Sequence, residues 1–165
     1  MYQGKYASYL TTNVREDSTI PGVIQGPSFA FRGGRVIPGA GANFGWILIT
    51  RPLFIDREVH THDVDEYLFF LGGQVPDSFD TFDAEIDLCI GDEQEKYVIT
   101  EPTLVYIPKG LPHTPLEFRK INKPVLFGMI LLAPSFTKMT GGEQFSYDGP
   151  GVDGAPLTID PSKIK

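Results

Sequence analysis

The chain has 165 residues, 41% of them apolar, with 14 Lys and Arg against 21 Asp and Glu for a formal net charge of −7. That length and apolar content suit one domain with a real core, and the acidic balance argues against nucleic-acid backbones and anionic membranes as partners. A single cysteine, Cys89, excludes an internal disulfide and a thiolate-rich zinc site, and 18 Gly and 14 Pro spread along the chain favour short strands joined by turns.

Residues 1–27 carry little periodicity and read as an N-terminal arm. The opening MYQGKYASYLTT lacks a basic-then-apolar leader pattern, and no apolar run approaches ~18 residues. The cytoplasm is therefore the expected location. Residues 28–49 read as strand, turn, strand, with apolar clusters at Phe29–Phe31 and Phe44–Ile49. The intervening glycines, Gly39 to Gly45, are turn glycines, since their spacing misses the dinucleotide fingerprint and no helical pattern follows. Two strand-like runs, RPLFIDREVHTH and EYLFFLGG, flank Asp63-Val64-Asp65. FDAEIDLCIG then alternates, with Ala84, Ile86, Leu88 and Ile90 on one parity and acids on the other, as in a half-buried strand. The acids between Asp77 and Glu95 lack calcium-loop spacing and read as a solvated face. YVITEPTLVYIP and VLFGMILLA complete the strand series, and residues 134–165, rich in Gly, Pro and Asp, read as a C-terminal tail.

The chain has three histidines. His60 and His62 are two apart, so on a strand both imidazoles share a face. With Asp63-Val64-Asp65 as a hairpin turn, Glu66 opens the returning strand beside them. Two imidazole nitrogens and a carboxylate oxygen suit Fe(II), Mn(II), Zn(II) or Ni(II). His113 follows Pro108, Gly110 and Pro112, a rigid turn that fixes where its imidazole points.

His60-Thr-His62 followed by Glu66 and Gly73 resembles the first cupin motif, H-x-H-x(3,4)-E-x(6)-G. Pro108-Lys-Gly110-Leu-Pro-His113 is similar to the core of the second, P-x-G-x(2)-H. The resemblance implies an all-β antiparallel jelly-roll β-barrel with few or no helices. It implies one divalent metal ion held by His60, His62, Glu66 and His113. One domain is expected over 1–165, with the barrel at about 28–133. The chain departs from the pattern at Phe54, where a glycine is expected, and at Glu117, where an asparagine is expected. A longer insert, VPDSFDTFD, separates the motifs.

Such a site suits an enzyme acting on a small oxygen-containing metabolite, of dioxygenase, isomerase, decarboxylase or lyase type. The alternative is a non-catalytic, metal-dependent binding or sensor protein. Glu117 shares strand parity with His113 and is one candidate acid or base, with a rim position as its alternative; Tyr106 is the other. If Glu66 points inward, so do Leu68 and Phe70, which predicts a mainly apolar cavity wall with the metal as its chief polar group. Small cupins commonly pair, so a homodimer using the N-terminal arm is expected.

Overall fold

A computed structural model of the chain describes residues 3–17, 20, 22–33, 36–77 and 79–147. Among the described residues, thirteen strands run in the order β1 (Arg15–Glu16), β2 (Ile24–Arg32), β3 (Asn43–Ile49), β4 (Leu53–Asp56), β5 (His60–His62), β6 (Glu66–Gly72), β7 (Ala84–Ile90), β8 (Glu95–Ile99), β9 (Thr103–Ile107), β10 (His113–Ile121), β11 (Val125–Leu131), β12 (Phe136–Thr140) and β13 (Glu143–Tyr147). A 3-10 turn spans Ala7–Tyr9. Every strand pair is antiparallel. One sheet has the order β1-β2-β3-β11-β6-β9; the other has β13-β12-β5-β10-β7-β8, with β4 also paired to β10. This is the jelly-roll architecture that the two motifs imply.

The two sheets close on a core set by alternation. In β6 the residues Glu66, Leu68, Phe70 and Gly72 are buried and their neighbours are not. Phe70 meets Phe118 of β10 and Phe127 of β11 at ring-centroid distances of 6.0 and 5.2 Å. All three rings are essentially inaccessible to solvent, and each fully buried side chain of this size contributes about 1.5–3 kcal/mol. β7 buries Ala84, Ile86 and Leu88 as its alternation predicts. Its outward acids are neutralised: Glu85 and Asp87 pair with Arg119, and Asp87 also with Lys96.

The barrel reaches beyond the expected 28–133 at both ends. β2 begins at Ile24, and β1 pairs onto it from within the expected arm. Residues 136–147, read from sequence as tail, form the hairpin β12–β13, and β12 pairs with the histidine strand β5. The remainder of the expected tail, 148–165, lies outside the described residues.

Candidate metal centre

The site lies at one end of the barrel, where both sheets contribute. His60 and His62 stand at the two ends of β5 and are both buried, as the two-residue period requires. Glu66 opens β6 in the opposite sheet. The expected β5–β6 hairpin is therefore a crossover: β5 pairs with β10 and β12, whereas β6 pairs with β11 and β9. Asp63-Val64-Asp65 bridges the sheets and its two acids anchor it. Asp63 accepts a hydrogen bond from the Thr137 amide at 2.6 Å, and Asp65 from the Lys109 amide at 2.8 Å. His113 enters from the turn before β10. Gly110 adopts φ 79°, a left-handed conformation that favours glycine, and its amide donates to the His62 carbonyl at 2.9 Å. One backbone hydrogen bond thus ties the second motif to the first.

The three imidazoles converge. Their ligand nitrogens lie within 4.8 Å of one another, and all three residues are buried. The Nδ1 atom of each faces groups that accept: Leu111 O at 3.0 Å from His113, Thr137 O at 3.3 Å from His62, and Asp56 Oδ2 at 3.2 Å from His60. Carbonyl and carboxylate oxygens only accept, so Nδ1 carries the proton and the Nε2 lone pair is left for the centre. Burial favours the neutral form of the His60 and His62 imidazoles. It drives His62 down to about 4, against an upward pull from Glu66, and lowers His60, against an upward pull from Asp56.

Glu66 Oε2 lies 3.1 Å from His113 Nε2 and 3.7 Å from His62 Nε2. Both Glu66 Oε2 and His113 Nε2 are buried without a hydrogen-bond partner. Two buried polar atoms thus face each other in a dry site without a hydrogen bond, which is costly. A cation between them removes that cost. Two ligands at right angles, each ~2.1 Å from one ion, sit ~3 Å apart. The residues present fit a divalent metal.

A cavity of about 320 Å³ opens beside these groups. Leu68, Leu116 and Phe127 form its apolar floor, and Leu68 and Phe70 point inward with Glu66 as strand parity predicts. The wall is mainly apolar, as predicted, but the metal centre is not its one polar part. Asp56 and Lys138 form an ion pair in it next to His60, and Arg32 pairs with Glu16 at 2.5 Å on the opposite side. These charges come from β4, β12, β2 and β1, whose sequences carry no clean alternation to reveal the inward positions. Asp56 and Lys138 are the residues that the sequence reading missed; the one available signal was Asp56 four residues before His60.

The two candidate acid–base residues lie elsewhere. β10 carries one extra residue between His113 and Leu116: His113 stands opposite Ile90, and Leu116 opposite Leu88. This bulge, with Thr114 at φ 72°, reverses the strand's parity. Leu116 and Phe118 therefore point into the core and Glu117 points out, against the shared parity read from sequence. Tyr106 is half exposed on β9 beside Tyr67, with ring centroids 5.1 Å apart, and loss of solvent, followed by the Asp65 carboxylate, raises its hydroxyl above the usual range.

No protein-family model matches the chain, and no curated protein matches its sequence. Solved structures do match. Vicilin from Corylus avellana (hazelnut) is 13% identical over 81% of this chain and 37% of that one, with a TM-score of 0.51. An oxalate decarboxylase–formate complex from Lactobacillus farciminis is 12% identical over 78% of this chain and 34% of that one, with a TM-score of 0.50. Both are cupins. This chain has the cupin fold. A sugar phosphate isomerase of the cupin superfamily from Silicibacter pomeroyi is 15% identical over 99% of this chain and 90% of that one, with a TM-score of 0.49. The chain spans little more than a third of the vicilin and decarboxylase chains. No helix among its described residues is long and apolar enough to cross a membrane.

Proposed function

We propose that this cupin is a metal-dependent enzyme acting on a small oxygen-containing metabolite, with His60, His62, Glu66 and His113 holding one divalent ion. The observation that supports the reading is the convergence of three buried histidines, with the buried and unpartnered Glu66 Oε2 and His113 Nε2 beside each other. Bound there, the ion supplies a Lewis acid for a substrate oxygen. The chain's own residues do the rest. Leu68, Leu116 and Phe127 exclude water from one side of the cavity, and the Asp56–Lys138 pair holds the His60 ring in the tautomer that offers Nε2.

One observation favours a second reading, metal-dependent binding of a small molecule without turnover: Glu117 and Tyr106 do not face the cavity. Metal analysis after anaerobic purification tests the assignment common to both. His60→Ala and His113→Ala should each lose most bound metal while remaining folded; equal metal content in wild type and variants refutes it. A metabolite-library binding screen followed by turnover assays on the hits separates enzyme from binder.

A further inference from the structure

The cavity beside the metal centre holds a charge that the centre does not use. Arg32, Asn43, Leu131 and Glu66 stand directly opposite one another on β2, β3, β11 and β6. Directly opposed residues turn their side chains to one face, and Asn43, Leu131 and Glu66 are buried, so that face is the inner one. Arg32 therefore lines the cavity in the same row as Glu66, three strand spacings or ~14 Å away between backbones. No other charge stands between them in that row: Leu131 is apolar, and the Asn43 side-chain amide donates to the Ala133 carbonyl at 2.6 Å. Two residues further along each strand, Ala30, Gly45, Met129 and Leu68 line the cavity on the same face. Ala30 and Gly45 carry little or no side chain, which leaves an apolar space beside the line from Arg32 to Glu66.

The Arg32 guanidinium is incompletely used. Its Nη2 donates to Glu16 Oε1 at 2.5 Å, and its other donors have no partner among the described residues. The other two bases of the cavity are engaged, Lys138 with Asp56 and Arg57 over the Phe54 ring at 3.9 Å from its centroid. An ion pair as exposed as Arg32–Glu16, with side chains 44% and 35% accessible, adds little to stability, so β1–β2 pairing does not explain why Arg32 faces inward. Charge balance points the same way. Among the described residues that line the cavity, four acids stand against three bases. A divalent ion at the histidines turns this deficit of one into an excess of one, which a monoanion neutralises.

We propose that the cavity takes a small monocarboxylic acid, an assignment that rests on the metal reading above. The carboxylate lies on Arg32, a second oxygen faces the metal, and the apolar body lies over Ala30, Gly45 and Leu68. The planar guanidinium fork matches a carboxylate with two parallel hydrogen bonds. Glu16 sets the charge. Its carboxylate already sits on the same guanidinium, so a doubly charged phosphate monoester meets more repulsion there than a carboxylate does. The cavity volume of about 320 Å³, at the lower end of the ~300–1,000 Å³ usual for small-molecule sites, sets the size. Arg32 is thus a specificity-determining residue, and Glu16 selects one negative charge over two.

The test is isothermal titration of the full chain loaded with Mn(II), with metal content measured on every sample. Hexanoate and benzoate are the probes, each beside its amide and beside hexyl or phenyl phosphate. The tighter-binding acid should exceed its amide by ~10-fold or more and should also exceed its phosphate counterpart. Arg32→Gln should remove the preference for acid over amide while keeping wild-type metal content, since Arg32 is no ligand. Glu16→Gln should shift the preference towards phosphate by ~3-fold or more, because it removes the like charge. Equal acid affinity in wild type and Arg32→Gln, both with full metal, overturns the inference and leaves the metal assignment standing. So does a wild type that holds metal and binds neither acid at ~10 mM, or binds the phosphates more tightly. A wild type that takes up no Mn(II) overturns the metal assignment and this inference with it.

Discussion

Two of the three imidazoles are oriented by main-chain carbonyls, Thr137 O for His62 and Leu111 O for His113, which no side-chain substitution removes. His60 is different. Its Nδ1 donates to the Asp56 carboxylate, which Lys138 in turn neutralises, so Asp56→Asn tests whether orientation from outside the ligand set governs metal binding. Removing such a partner of a ligating histidine costs ~10–100-fold in metal affinity. Here the loss belongs at the lower end, because Nδ1 has substitutes within reach. Thr114 Oγ1 lies 3.1 Å away and donates its own proton to the Glu58 carbonyl, which leaves a lone pair for His60. The Glu58 carbonyl itself lies at 3.4 Å. The expected loss is ~10-fold, or ~1.4 kcal/mol. Lys138→Met leaves the Asp56–His60 pair in place and should cost less than ~3-fold. The assay is an anaerobic chelator competition with Mn(II) and Zn(II), with circular dichroism to verify the fold. Asp56→Asn binding within ~2-fold of wild type refutes the reasoning, as does a greater loss in Lys138→Met than in Asp56→Asn.

The metal-free protein should lose stability as pH falls from about 6.5 towards 4: buried His62 resists protonation down to about 4, the unfolded imidazole binds its proton near 6.5, and so the unfolded state holds more protons across that window. Thermal melts of the chelated protein at stepped pH measure this, and a melting temperature that rises on acidification refutes it. Phe70→Ala removes a ring packed between Phe118 and Phe127 and should cost ~3–5 kcal/mol, lowering the melting temperature by roughly 10 °C; a cost below ~1 kcal/mol would place Phe70 outside the core.

The strands that could be read from sequence are those with one face on the core and the other in water. β7 writes its burial as alternating apolar and acidic residues, and β6 places Glu66, Leu68 and Phe70 on one parity. β12–β13 could not be read this way. The residues of β12, and 143–146 of β13, are half exposed or exposed, and β12 is held by backbone pairing to β5 and by the Asp63–Thr137 hydrogen bond, neither of which leaves an apolar period. The start of β2 was hidden for another reason. Its pairing with β3 shifts register between Gln25 and Phe29, so the buried Ile24 and the later part of the strand do not share one alternation.

In the site, chain proximity decided what could be read. His60, His62 and Glu66 fall within seven residues, so strand geometry alone brings them together, although it does not show that they belong to two sheets. His113 was legible through the prolines and glycine that fix its turn. Glu117 was misplaced by a bulge that no residue type announces, and the core shows why the bulge exists. A regular strand that turned His113 inward would also turn Pro115 and Glu117 inward, and would expel Leu116 and Phe118. Both of those are nearly inaccessible, and Phe118 packs on Phe70 and Phe127. The extra residue between His113 and Leu116 lets one strand present a ligand from an odd position and core side chains from even ones. Thr114 occupies the bulge in a left-handed conformation and donates to the Glu58 carbonyl, fastening it to the segment just before His60. The irregularity that defeated the parity argument is therefore the feature that places the metal centre and the hydrophobic core on one strand.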